Sequence, residues 1–181
     1  MPASDNPQDG RVRPAAWNLA IRDEFEGFYL RTSRKLHGYL CRLGKDPSLA
    51  DEVLQDAYIR MIHVPVMEEA RLRSYLYKTA TNLLRDRWRK SNREEPWDED
   101  VDIQDDRRQN IDLQLDMAGV LEKLNPQERA MLWLAHVEEL SHQEIGAILN
   151  VKEKSVRVLL FRAREKAKHL LMQVGLGVAN G

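Results

Sequence analysis

The sequence predicts an all-α protein of two small helical domains, a helical bundle and a helix-turn-helix, joined by a flexible acidic linker. Apolar residues recur at steps of three and four, and no segment alternates apolar and polar residues as a strand would. Residues 1–93 carry 17 Lys and Arg against 12 Asp and Glu, residues 94–116 carry 2 against 10, and residues 117–181 carry 9 against 7. Two mildly basic blocks around an acidic one suggest anionic partners at two places.

Composition excludes several classes of protein. The chain has 181 residues, of which 43% are apolar, as in ordinary globular proteins. No stretch approaches the roughly 18 apolar residues of a membrane span, and Met1 to Pro14 hold no apolar run typical of a signal peptide. We therefore expect a cytoplasmic protein without membrane insertion. The single cysteine, Cys41, cannot form an internal disulfide and is expected to pack.

The first domain is predicted over residues 15–93, after a proline-rich and disordered lead-in of residues 1–14. Three helices are expected within it, because glycine, proline and capping residues interrupt the apolar pattern twice. The first helix is expected to stop at Gly44. Asp46 and Pro47 are expected to be the cap and the first residue of the second helix, which stops at Pro65. The third helix is predicted over residues 69–93.

The second domain is predicted over residues 113–173, between an acidic linker of residues 94–112 and a flexible tail of residues 174–181. Two helix starts carry a capping residue followed three positions later by a carboxylate, as in a capping box. These pairs are Asn125 with Glu128 and Ser141 with Glu144. The pattern then breaks only at Asn150, which leaves a short helix, a tight turn and a long helix.

The predicted helix over residues 69–93 has an apolar side and a cationic side when its side chains are placed at 100° per residue. Residues 71–93 hold eight basic side chains and one acid. Like charges four residues apart repel by about 0.2–0.5 kcal/mol per pair, so nucleic-acid phosphate is favoured over solvent as their partner. Stacking on an unpaired base by Tyr75 is one interpretation, and burial against a neighbouring helix is the other. The residues assigned to this surface are Arg71, Tyr75, Lys78, Asn82, Arg85 and Arg89.

The long helix after Asn150 predicts a second DNA-binding surface. Val158 and Phe161 lie opposite its apolar core stripe, among basic residues. Apolar groups near the start of a recognition helix can contact thymine methyls, while Lys and Arg reach guanine edges and phosphates. Covering another helix is the alternative explanation for these two side chains. The residues assigned to this surface are Lys154, Ser155, Arg157, Val158, Phe161 and Arg162.

Three segments resemble those of the extracytoplasmic-function sigma factors, the minimal two-domain members of the bacterial sigma superfamily. Leu49 to Tyr58 resembles the family's polymerase-binding helix, and Ser74 to Leu83 resembles its promoter-melting helix. Ser141 to Arg164 resembles the terminal helix-turn-helix of the family. The order and separation of the three segments are more specific than any one of them.

This resemblance implies a sigma factor that binds core RNA polymerase, directs it to specific promoters and helps to melt the promoter for transcription initiation. The residues implied to dock on the clamp helices of the largest polymerase subunit are Asp51, Leu54, Gln55 and Tyr58. The first DNA surface would contact the minus-ten element of the promoter DNA, with the loop from His63 to Arg71 receiving a flipped base. The second would contact the minus-thirty-five element. The family also implies an anti-sigma factor as a candidate partner.

The sequence departs from the family at several positions. Tyr75 stands where tryptophan is frequent, and Val158 with Leu159 replaces a common Ser-Arg pair. The second departure removes one phosphate or base contact. The resemblance therefore does not predict the base sequence of the minus-thirty-five element.

Two other classes of function compete with this interpretation. A conventional helix-turn-helix regulator would bind an operator without being a polymerase subunit, but its sensing domain would have no use for a cationic helix face. An enzyme is disfavoured, because the sequence has no His-Glu-x-x-His, no paired ligands at metal spacing and no glycine-rich phosphate loop. We therefore expect no catalytic residue, metal or cofactor.

Overall fold

The computed structural model describes residues 19–65, 67–91 and 117–173, and within these ranges it contains helices and turns without a strand. This confirms the predicted all-α fold. The predicted lead-in, acidic linker and tail lie outside the described residues. The helices are α1 (Leu19–Gly44), α2 (Pro47–Met61), α3 (Glu69–Lys90), α4 (Met117–Glu122), α5 (Pro126–His136), α6 (His142–Leu149) and α7 (Glu153–Gln173).

N-terminal caps form at the predicted positions. Asp46 accepts hydrogen bonds from the amides of Ser48 and Leu49 at 3.0 and 3.2 Å. Complete capping boxes begin α5, at Asn125 and Glu128, and α6, at Ser141 and Glu144. Asn150 ends α6 with a φ of 58°, a left-handed conformation that asparagine tolerates better than most residues. Local side-chain chemistry therefore sets these helix ends.

The end of α2 differs from its prediction. The helix stops at Met61 rather than continuing to Pro65, because the amide of Val64 donates to the carbonyl of Met61 at 3.0 Å and closes a turn. At the other end of that loop, α3 begins at residue 69 as predicted and runs to Lys90. Residues 92 and 93 lie outside the described residues.

Two groups of helices, α1 to α3 and α4 to α7, share one buried core. Large apolar side chains from both groups are almost fully buried within a single cluster, and each stabilises the fold by about 1.5–3 kcal/mol relative to exposure. Those of the first group include Leu36, Tyr39, Leu40, Leu76 and Leu84, and those of the second include Met131, Leu134, Ile145, Ile148 and Leu160. A smaller cluster of Val120, Leu124 and Leu170 packs α4 against α7.

The turn between α6 and α7 depends on Gly146. A Cβ atom added there would lie 2.7 Å from the carbonyl oxygen of Val151, closer than such atoms approach. The same glycine's carbonyl accepts a hydrogen bond from the Val151 amide at 2.9 Å. A residue without a Cβ atom is therefore needed here, because the backbone of the turn lies against this position.

The contact between the two groups of helices centres on Trp133 of α5. Its ring lies against Gly38 of α1, where an added Cβ would be 3.0 Å from the indole. The Arg42 guanidinium lies 4.9 Å from the centroid of the ring, within cation–π range. Beside it, the buried Arg129 donates to the carbonyl of Leu43 at 3.1 Å. We refer to this contact, together with the α3–α6 contact described below, as the interdomain interface.

Candidate nucleic-acid and polymerase interfaces

The outer side of α3, which we call the α3 surface, is exposed as its sequence predicts. The apolar side of the helix is buried at Leu76, Leu83, Leu84 and Trp88. Tyr75 is 44% exposed, which decides between its two interpretations in favour of an accessible ring. The other residues assigned to this surface are exposed at Arg71, Lys78, Asn82 and Arg89 and half-buried at Arg85.

Cations of α3 differ in whether the protein itself neutralises them. Arg87, which lies off the α3 surface, bridges Glu52 and Asp56 of α2 at 2.9 and 2.5 Å. Arg89 pairs with Asp86 one turn away. Arg71 and Lys78 have no hydrogen-bond or ion-pair partner in the part of the chain that the structure describes. These two cations remain available to an external anion.

Part of α3 is bound to α6. Arg85 donates to the carbonyl of Leu149 at 2.8 Å, and the Ser74 hydroxyl donates to the Glu144 carboxylate at 3.0 Å. Burial opposes ionisation of Glu144, but hydrogen bonds from Ser141 and Ser74 outweigh it and lower the pKa of this carboxyl group. The second group of helices therefore occupies one edge of the α3 surface.

The corresponding side of α7, which we call the α7 surface, is open. Val158 is 49% exposed and Phe161 is 62% exposed, whereas Ser155 is half-buried. The neighbouring cations are exposed and have no hydrogen-bond or ion-pair partner among the described residues. They are Lys154, Arg157 and Arg162.

The residues predicted to bind polymerase lie together on α2 but differ in exposure. Asp51 and Gln55 are exposed and Leu54 is half-buried. Tyr58 is only 5% exposed, and its hydroxyl forms a 2.7 Å hydrogen bond with that of Thr32. Burial raises the pKa of Tyr58 to about 12, so it stays neutral and supports the surface from beneath.

Sequence reasoning missed apolar residues around this group. Tyr29 is 40% exposed and stacks edge-on against Tyr58, with ring centroids 4.7 Å apart. Ile59 and Ile62 are 49% and 39% exposed and border the same depression. The sequence did contain a signal for their exposure, because both isoleucines fall outside the stripe of apolar residues that α2 buries. We call this group, with Asp51, Leu54 and Gln55, the α2 surface.

The interdomain interface also contains a buried polar group that the sequence did not reveal. Tyr77 of α3 is fully buried beside Glu138 and Trp133 of the second group of helices, and its hydroxyl forms no hydrogen bond within the described residues. Burial, reinforced by the negative charge of Glu138, raises the pKa of Tyr77 far above its usual range. Tyr77 therefore lies between the two groups as a neutral phenol.

Two kinds of feature are not found in the described ranges. No group of three or more His, Cys, Asp or Glu side chains there could hold a metal ion. No helix of the same residues is long and apolar enough to cross a membrane.

Two family models match the two groups of helices. The model for Sigma-70 region 2 matches residues 28–94, and the model for Sigma-70, region 4 matches residues 115–166. A helical bundle with an exposed cationic helix and a helix-turn-helix with a second cationic surface fit this pair of regions. The chain belongs to the sigma-70 family, and it is a sigma factor of RNA polymerase.

Relatives identify the group within that family. The ECF RNA polymerase sigma factor SigM of Bacillus subtilis is 26% identical over 156 residues, which cover 82% of this chain and 93% of SigM. The RNA polymerase sigma factor CarQ of Myxococcus xanthus is 28% identical over 167 residues, 87% of this chain and 95% of CarQ. The predicted membership of the extracytoplasmic-function group is confirmed.

Solved structures support the fold. CnrH in complex with the cytosolic domain of CnrY has a TM-score of 0.59 and 24% identity, covering 83% of this chain and 89% of that one. The sigma factor RpoE of Bartonella quintana, in complex with the anti-sigma factor NepR, has a TM-score of 0.57 and 20% identity, covering 83% and 98%.

Proposed function

We propose that this sigma factor binds core polymerase through the α2 surface, the minus-ten element through the α3 surface and the minus-thirty-five element through the α7 surface. The observation that carries this assignment is a set of exposed cations without partners among the described residues, on two separate helices of one chain. These cations are Arg71 and Lys78 on α3 and Lys154, Arg157 and Arg162 on α7. A conventional regulator, which needs one DNA surface, does not account for both.

On the α2 surface, Leu54 and the exposed Tyr29, Ile59 and Ile62 would supply apolar contact with the clamp helices of the largest subunit. Asp51 would add a charged rim to this contact. Its carboxylate already lies 2.9 Å from Nε2 of His37, which orients it at the edge of the depression. Buried apolar anchors within a polar rim are the usual arrangement of a stable protein interface.

On the α3 surface, the cations would hold the phosphates of the non-template strand while neutral groups select bases. Tyr75 presents an exposed ring on which an unpaired base can stack, an interaction worth about 1–3 kcal/mol per base. Asn82 can hydrogen-bond a base edge that is free only after melting. The α3 surface would therefore stabilise the open promoter.

The hydrogen bond that joins Arg85 of α3 to the Leu149 carbonyl of α6 must break when Arg85 turns to DNA. We therefore propose that the two groups of helices separate during assembly with polymerase. We call the arrangement in which the two groups of helices are in contact the closed arrangement. A partner that stabilises it would act as an anti-sigma factor. The protein would work in the cytoplasm beside polymerase and would carry out no catalytic step of its own.

Run-off transcription tests the proposed function. Core polymerase lacking any sigma factor would be assayed with and without this protein on a library of randomised promoters, and the transcribed sequences would be determined. Transcripts that require the protein and share two spaced elements are expected. Sequence-selective DNA binding without binding to core would instead favour a conventional regulator.

Asn82→Ala tests the role of the α3 surface. The variant should impair transcription from a duplex promoter more than from a pre-melted one, because the lost amide acts on the unpaired strand. Lys90→Ala, an exposed change on the same helix but away from this surface, is the matched control. Equal losses on both templates would assign Asn82 to recruitment rather than to melting.

A further inference from the structure

The α7 surface has two large apolar side chains at its centre. Val158 is 49% exposed and Phe161 is 62% exposed, and they lie three residues apart on one side of the helix. The opposite side already supplies the core, since Val156, Leu160 and Ala163 are almost completely buried. The described fold therefore does not need Val158 or Phe161 for its own packing.

The charges around these side chains indicate what covers them. The exposed cations Lys154, Arg157 and Arg162 surround them and have no partner among the described residues. A purely apolar partner would bury these cations without compensation, at a cost that grows with desolvation. The major groove of DNA avoids this cost, because its rims carry phosphates while the edge of thymine presents a methyl group.

The spacing of the two side chains is comparable with that of neighbouring base pairs. Three residues advance about 4.5 Å along a helix axis at 1.5 Å per residue. Neighbouring bases of a strand are separated by about 3.4 Å along the duplex axis. Glu165 lies one turn beyond Phe161 on the same side, and phosphate would repel its carboxylate. The contact is therefore confined to the first turns of α7.

We propose that Val158 and Phe161 make this sigma factor select upstream elements with two neighbouring thymines, each side chain contacting one thymine methyl. The proposal rests on the proposed function of the α7 surface and adds a base preference to it. In this arrangement Arg157 and the flanking cations fix the helix in the groove, and the apolar pair discriminates thymine from cytosine.

Substitution of deoxyuridine for thymidine tests the proposal, because it removes the methyl group and keeps the hydrogen-bonding edge. The full-length protein would be assembled with core polymerase, and a transcribed promoter would be selected from a library randomised in the upstream element. Deoxyuridine would then replace each thymidine in turn. At two neighbouring positions we expect promoter binding to weaken about fourfold per methyl, the effect of losing one buried methylene-sized group.

Two variants assign the methyl groups to side chains. Val158→Ala should lose sensitivity to deoxyuridine at one of the two positions, and Phe161→Ala should lose it at the neighbouring one. Both residues are exposed, so these variants should fold, which circular dichroism would check. Met172→Ala, at a 56% exposed apolar residue near the other end of α7, should keep both sensitivities.

The outcomes separate this proposal from the function on which it rests. If the wild-type protein directs no promoter-specific transcription, the proposed function fails. If transcription is specific but no deoxyuridine in the upstream element weakens binding, the thymine proposal is overturned and the apolar pair is assigned to a protein partner. Equal sensitivities in the wild-type protein and both variants would overturn it as well.

Discussion

The α3 and α7 surfaces both present cations to solvent, yet the rest of the chain occupies them to different extents. On α3, Arg85 is bound to the Leu149 carbonyl and Arg89 is paired with Asp86. On α7, the assigned cations Lys154, Arg157 and Arg162 have no partner in the described ranges. The assigned cations of the α7 surface are therefore available in the closed arrangement, whereas Arg85 of the α3 surface would become available only after the two groups of helices separate.

The largest expected effect comes from Gly146→Val, which tests whether the α7 surface depends on its turn. The added side chain would clash with the Val151 carbonyl, so we expect the free energy of unfolding to fall by about 3 kcal/mol. Upstream DNA binding should be lost with it. Chemical denaturation measures the change, and Ala147→Val, at the exposed neighbouring position, should cost well under half as much. An equal fall in the free energy of unfolding in both variants would show that the α7 surface does not depend on this turn.

Arg157→Ala tests whether this residue of the α7 surface contacts a base or a phosphate. If the guanidinium contacts a base, the variant should lose about 1–3 kcal/mol of binding at one promoter position and relax specificity there. If it contacts a phosphate, all sequences should weaken equally. Binding of holoenzyme to a set of single-base promoter variants distinguishes these results. Lys168→Ala, an exposed change further along α7, is the control.

Gly38→Leu tests the closed arrangement itself. An added Cβ would meet the rigid indole of Trp133 at 3.0 Å, and a leucine should destabilise the interdomain interface by about 1–3 kcal/mol. The radius of gyration from small-angle X-ray scattering should rise, and assembly with core polymerase should accelerate. At Gly27, an added Cβ meets only the flexible end of Arg31, also at 3.0 Å. Gly27→Leu should therefore leave the scattering unchanged, and an identical response of both variants would contradict the prediction.

Ser74→Ala should have the smallest effect, about 1 kcal/mol or less, because its hydrogen bond to Glu144 is only partly buried. The folded state lowers the pKa of Glu144, so the stability from its ionised form is present at neutral pH. That contribution should be lost as pH falls through the lowered pKa. Thermal unfolding between neutral and acid pH should therefore show a smaller acid loss in Ser74→Ala than in wild type. Ser48→Ala, at an exposed serine of α2, should behave as wild type.

Much of the fold could be predicted because its signals are local. Asp46, Asn125 and Ser141 act within one helical turn, and their side chains cap the helices where the sequence places them. The cationic and apolar sides of α3 follow from the helical repeat alone. The exposure of Tyr75, by contrast, depends on which helix packs beside it, so the sequence left two interpretations open.

The interdomain interface could not be predicted, because its partners lie far apart in the chain. Tyr77 falls at the edge of the apolar side of α3, and no local pattern links it to Glu138 or Trp133. The burial of Tyr58 was missed for a related reason, since its hydroxyl is satisfied by Thr32 on another helix. The assigned contacts with polymerase and DNA stay predictions until the variants above are measured.

The ion pairs of Arg87 have a mechanical consequence. Arg87 forms ion pairs with both Glu52 and Asp56, and these pairs link α3 to α2. The α2 surface, on another side of the same helix, would rest on polymerase. The distance between the melted strand and polymerase would therefore include the thickness of α2, a helix diameter of about 10–12 Å. In this arrangement α2 would act as a spacer, and its thickness would contribute to the distance between polymerase and the separated strands.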